Sequence, residues 1–280
     1  NNEPTRIEFK AFEIDPRQIP DYTNLEDALK RALDFWSQQQ SDKAKTFFKK
    51  ALEVIHKPAI TCLRISDFNT SGLVGSREEY NSPWCNLTKS SGASDKSGSN
   101  GGSFGIGKFA PYACSALRTV FYSTIDKDDV CASQGVSRLT SFKNKKNEIT
   151  QGTGFYGNDK NSPMYKQYSL DPAYSRNAEN SGTDIYITAF TGDKGWQHQM
   201  VASVLDGFLY AIYNGTLVVD VDGIIISKDT LADVMISHKE YFNEHADEYY
   251  QALTDERLAR TLIKELTDDP EVIGKLTLRL

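Results

Sequence analysis

Nowhere in the 280 residues is there an uninterrupted run of about 18 apolar residues, so nothing in the sequence reads as a membrane-spanning helix. Cysteine is scarce. Cys62, Cys85, Cys114 and Cys131 include no C-x-x-C pair, and no histidine stands at zinc-ligand spacing from any of them. They read as reduced residues of a cytoplasmic protein, with Cys62 and Cys114 in apolar runs where a thiol behaves as a small hydrophobe. The four histidines, His56, His198, His238 and His245, are scattered. His238 and His245 are too far apart to chelate one ion, and all four read as surface or satisfied structural residues. Excess positive charge is missing too: the formal net charge is -6, against a surface built throughout for nucleic acid. A local basic face at Lys143, Lys145 and Lys146 would support a nucleic-acid-binding α/β domain, but a solvated turn is the more ordinary reading. The first residues do not read as a signal peptide, and no internal repeat is seen. The start, Asn1-Asn2-Glu3-Pro4-Thr5, lacks a Met and suggests a cut chain.

What is there begins with a strand. Residues 6–14 alternate Ile7, Phe9 and Ala11 with Arg6, Glu8 and Lys10, the period of a half-buried strand. Asn24 and Ser41 are candidate caps for two helices, the first with Leu25, Ala28, Leu29, Ala32, Leu33 and Trp36 inward. The second is expected to carry Ala44, Phe47, Phe48, Ala51, Leu52 and Ile55 inward and to stop at Lys57-Pro58. Residues 60–66 read as a buried strand. Residues 75–102 are Ser-, Gly-, Asn- and Asp-rich and read as a long mobile loop. A Gly-rich turn into a helix (103–117), strands at 118–125 and 130–142, an irregular stretch (152–180) and a strand at 183–190 follow. Beyond these, the spacing predicts a helix over 196–213 and a hairpin at 216–227 around Asp222-Gly223. A single acidic helix over 238–266 and a strand at 275–280 complete the pattern.

Three constellations carry chemistry. In Leu63-Arg64-Ile65-Ser66-Asp67-Phe68-Asn69-Thr70-Ser71-Gly72, a strand ends on an Asp and enters a Gly-containing turn. A carboxylate there is costly without a partner. One suitable partner is the exocyclic amine of adenine, with Gly72 letting the ring approach the backbone. In Gly102-Ser103-Phe104-Gly105-Ile106-Gly107-Lys108, glycines free backbone N–H groups to face an anion and Lys108 adds a point charge. This is not a P-loop, because Phe109 follows Lys108. Gly182-Thr183 opens a strand and alone says little.

Their order (strand-Asp-turn-Gly, long loop, Gly-rich turn into a helix, strands, Gly-Thr-strand) resembles the Bergerat ATP-binding fold of the gyrase, heat-shock-chaperone, histidine-kinase and MutL (GHKL) superfamily. The likeness covers roughly residues 5 to 190, and Gly-x-Phe-Gly-x-Gly-Lys is most similar to MORC-like and prokaryotic defence-associated members. The resemblance implies that ATP contacts Asp67, Asn69, Gly72, Gly102, Ser103, Phe104, Gly105, Ile106, Gly107, Lys108 and Thr183, beneath a lid at 75–102. It implies an α+β sandwich over 1–190, a mixed and mostly antiparallel sheet with helices on one face and a helical insertion at 21–57. A smaller α/β extension of unknown role occupies 191–280.

Two departures qualify this. Asn69 replaces the first Gly of the usual D-x-G-x-G motif, and Gly72 falls one residue late; Asn tolerates left-handed backbone. The family's first helix, with a Glu general base and an Asn magnesium ligand four residues on, has no match: Lys30 follows Glu26 at that spacing. The expectation is that this helix precedes Asn1. No catalytic residue or metal ligand is then assigned in this chain, and hydrolysis with Mg2+ belongs to the intact protein. The expected behaviour is lid closure driving homodimerisation or a change of DNA or protein partner. The competing expectation is a non-catalytic scaffold with a degenerate pocket.

Overall fold

The computed structural model describes residues 3–39, 41–89, 107–242, 244–254, 261–265 and 275–279. The chain opens with β1 (Thr5–Ile14), then α1 (Tyr22–Ser37), α2 (Asp42–Ile55) and β2 (Ile60–Phe68). Next come α3 (Pro83–Thr88), α4 (Ala110–Ala113), β3 (Thr119–Ile125), β4 (Cys131–Arg138), β5 (Thr153–Tyr156) and β6 (Gly182–Ile187). The remainder comprises α5 (Trp196–Tyr213), β7 (Leu217–Val221), β8 (Ile224–Ile226), α6 (Leu231–Ser237), α7 (Glu244–Thr254), β9 (Thr261–Glu265) and β10 (Lys275–Arg279).

Eight strands form one mixed sheet in the order β5-β4-β3-β6-β2-β1-β7-β8. Every pair is antiparallel except β1 with β7, where Thr5 to Phe9 run beside Leu217 to Val221. The predicted 216–227 hairpin thus extends the same sheet. Its turn residues take the positive φ that a two-residue hairpin needs, 53° at Asp222 and 99° at Gly223. The strands β9 and β10 pair with each other.

Side-chain alternation assigns the two faces. Phe12, Cys62, Phe121 and Tyr186 lie on one face in cross-strand register, and α1 and α2 cover them with Leu29, Ala32, Phe48, Ala51 and Ile55. Helical spacing predicts these residues on the inward faces, and burying the Leu, Phe and Ile side chains among them supplies about 1.5–3 kcal/mol each. On the other face, Val120, Tyr122 and Ile185 lie under Trp84 of α3 and Tyr112 of α4. Further along that face, Phe9, Val219 and Val221 lie under Val201, Leu205 and Leu209 of α5. Helices therefore cover both faces rather than one.

Other boundaries differ locally. The first helix begins at Tyr22, with Asp21 at its cap in the left-handed region (φ 58°) and Asn24 inside, its amide on the Asp21 carboxylate (2.8 Å). Residues 75–89, expected as loop, contain α3, whose cap Ser82 accepts from Cys85 N–H and whose Trp84 is fully buried. The long helix expected at 238–266 is broken: α6 ends at Ser237, α7 occupies 244–254, and β9 follows. Here the Tyr- and Phe-rich stretch packs into the α5 core by turning, which a period count could not register.

Candidate functional site

The end of β2 meets the start of β6. Asp67 Oδ1 accepts a hydrogen bond from the Thr183 backbone N–H, and Asp67 Oδ2 accepts one from the Thr70 hydroxyl. Thr124, at the end of β3, donates its hydroxyl to Gly182 O (3.0 Å), lies 3.2 Å from the Thr183 hydroxyl and accepts from Leu73 N–H (2.9 Å). The Ser181 hydroxyl donates to Thr70 O, and Lys127 N–H donates to Ser71 O (2.8 Å). Asp67, Gly72 and Thr183 are thus brought to one end of the sheet by β2, β3 and β6. The partner that Asp67 needs is supplied first by the protein itself. A carboxylate has about four acceptor positions, so two protein donors leave capacity for another.

Gly72 has φ 61°, and a Cβ there would lie 2.2 Å from Ile125 O and 2.9 Å from Asp126 Cα. The close approach that demands glycine is to the backbone of the β3–β4 turn. Asn69 is also left-handed (φ 59°), and its amide donates to Pro4 O (2.8 Å), tying the turn to the start of β1. Its side chain is committed to that contact.

Behind this turn, on the face that carries α1 and α2, lies an ionic network the sequence reading did not identify. Asp184 (2% exposed) receives Arg176 Nε (2.9 Å) and Nη2 (2.7 Å), the Ser66 hydroxyl (2.6 Å) and the Tyr174 hydroxyl (3.1 Å). Arg176 Nη2 also donates to Thr183 O (3.2 Å), and its guanidinium stacks on Phe68 (4.7 Å). Arg64 pairs with Glu8 (2.6 Å) and Asp171 (3.3 Å) and lies over the Tyr174 ring (3.4 Å). Burial opposes the charge on Arg176, yet Asp184 beside it holds its pKa above the ordinary value. The signal was legible in part: Arg64 and Ser66 interrupt an otherwise apolar strand, and charges there require partners. Arg176 and Asp171 come from an irregular stretch whose path no periodicity predicts.

Of the Gly-rich turn, Gly102, Ser103, Phe104, Gly105 and Ile106 lie outside the described residues, as do 90–101 of the expected lid. Gly107 and Lys108 stand in a single 3-10 turn leading into the four-residue α4. Lys108 Nζ donates to Asn86 O (2.7 Å), which joins this turn to α3 itself. Burial, and then the positive charge of Arg138, hold Lys108 below its usual pKa. Arg138 lies between Phe109 (4.8 Å) and Tyr112 (5.1 Å), whose hydroxyl accepts from Tyr122 (3.0 Å). Among the described residues no three His, Cys, Asp or Glu side chains are grouped to hold a metal, and both Asp67 oxygens accept from protein donors.

The histidines are less scattered than expected. His198 of α5 stacks on Tyr241 (4.6 Å, 11°), and its ring lies 5.1 Å from that of His238. The basic run is the solvated turn anticipated for it: Lys145 reaches Asp27 (3.4 Å), and Asn144 N–H closes the turn on Glu148 O (2.9 Å). No helix among the described residues is long and apolar enough to cross a membrane. All four cysteines are free, with Cys62 and Cys85 buried. Compared with models of known protein families and with curated proteins, the sequence matches none.

Proposed function

We propose that this chain is a nucleotide-binding module of the GHKL type, acting within an ATPase whose lid closure drives dimerisation or a change of partner. The observation that carries the reading is the convergence of Asp67, Gly72 and Thr183 at one sheet end, although 116 positions separate Asp67 from Thr183. A half-buried carboxylate with acceptor capacity left, beside two threonine hydroxyls, suits an exocyclic amine and ring nitrogens of adenine. Lys108, whose Nζ also reaches Asn86 O (2.7 Å), is the cation that the resemblance assigns to a phosphate. The resemblance to the family assigns no general base and no magnesium ligand within residues 1–280. Adenine nucleotide binding without appreciable turnover is therefore the activity assigned to residues 1–280.

A second reading has its own support. Both Asp67 oxygens already have protein donors, and the space beside Gly72 is filled by Ile125 and Asp126 backbone. In a non-catalytic scaffold these contacts would be the whole purpose of the turn. Thermal denaturation with a non-hydrolysable ATP analogue separates the two, because a ligand that binds only the folded state stabilises it by RT ln(1 + [L]/Kd). The nucleotide reading expects a concentration-dependent rise that Asp67→Asn weakens. No rise at millimolar analogue, or a rise indifferent to Asp67→Asn, overturns it in favour of the scaffold.

A further inference from the structure

A cavity of about 240 Å³ opens between α1 and the β3–β4–β5 part of the sheet, on the face opposite the Asp67 and Thr183 side chains and near the other strand ends. Its floor is set by cross-strand register. Thr119, Ser137 and Gly154 form one row facing α1, and Phe121, Gly135 and Tyr156 form the next. Small residues keep the first row low. At Gly154 a Cβ would meet no atom within 4 Å, and no left-handed backbone calls for glycine there, so the position faces open space. In the second row a Cβ at Gly135 would come within 2.5 Å of the Phe121 ring. Glycine there lets the Phe121 and Tyr156 rings meet edge to face (5.9 Å, 63°) and makes the floor aromatic. Leu25 and Ala28 of α1 supply an aliphatic roof.

Among the described residues the lining includes no Lys, Arg or His, and its one carboxylate is that of Asp21, which already accepts from Asn24. Such a site penalises an anion, which would lose water and gain no cation. Ring edges and faces with a few hydroxyls favour a flat, uncharged aromatic molecule. An engineered apolar cavity of roughly 150 Å³ holds benzene, so this volume accommodates one fused bicyclic ring.

We propose that this cavity is a binding site for a small uncharged aromatic or heteroaromatic compound of bicyclic size, separate from the Asp67 end of the sheet. The test uses residues 1–280 with indole as the probe and benzoate as an anionic control, followed by thermal denaturation and by NMR contacts from indole to ring protons. Expected are stabilisation by indole, contacts to the Phe121 and Tyr156 rings, and no effect of benzoate. Gly154→Leu, which fills the mouth, and Ala28→Met, which lowers the roof, should each weaken indole binding by about tenfold or more. Asp67→Asn should leave it unchanged. If one cavity variant fails to fold, the other and the ring contacts still decide. Absence of stabilisation at ~10 mM indole, contacts elsewhere, equal binding of benzoate, or indifference to both cavity variants overturns the proposal.

Discussion

The backbone N–H of Thr183 donates to the carboxylate of Asp67, so the start of β6 is fastened to the end of β2. The turn's Thr70 occupies the other oxygen. Replacing Asp67 with Ala removes an acceptor from both donors in a half-buried place. The expected loss is about 1–3 kcal/mol, measured by urea denaturation, with Asp67→Asn losing less because it keeps one acceptor.

Gly72 and Gly223 both have positive φ but differ in surroundings. A Cβ at Gly72 collides with the Ile125 carbonyl, whereas at Gly223 nothing lies within 4 Å. Gly72→Ala should therefore cost about 3 kcal/mol or more, combining strain with a backbone clash. Gly223→Ala should cost about 1 kcal/mol, from conformation alone. Equal costs in denaturation would refute the steric account.

Arg176 and Asp184 are 3% and 2% exposed at the side chain. Arg176→Met strands a buried carboxylate, with Ser66 and Tyr174 its remaining donors, and should cost about 3–5 kcal/mol. The double variant Arg176→Met/Asp184→Leu should recover much of that loss. A double-mutant cycle reports the coupling.

Burial pushes the Cys62 thiol up to about 12. The folded state therefore keeps its proton while the unfolded thiol ionises near pH 8.5–9. Stability from this group is fully present below that range and declines as pH rises through it. Cys62→Val should flatten the fall in stability between about pH 8.5 and 11. In the native protein a thiol reagent should reach Cys114 and Cys131 well before the buried Cys62 and Cys85.

Much of the architecture was legible because short-range physics dictates it. Alternation marked β1, apolar spacing marked α1, α2 and α5, and Asp222-Gly223 marked the hairpin, each a rule that needs only neighbouring residues. The same rules failed where distant packing overrides them. Trp84 turns a polar stretch into a buried helix, and aromatic residues after His238 fold back on α5 instead of continuing one helix.

At the candidate site, the residue types were readable and their relationships were not. Asp67 at a strand end announces a carboxylate in need of partners, and local sequence suffices for that. That the partners are Thr70 and Thr183, that Gly72 yields to Ile125, and that Arg176 clasps Asp184 depend on which strands lie side by side. Strand order is decided by burial summed over the whole chain, with β6 inserted between β3 and β2 and β7 laid parallel to β1. By itself the sequence determined the elements and the chemical groups each one carries. The tertiary structure alone decided which groups meet, because those contacts join residues that no local period connects.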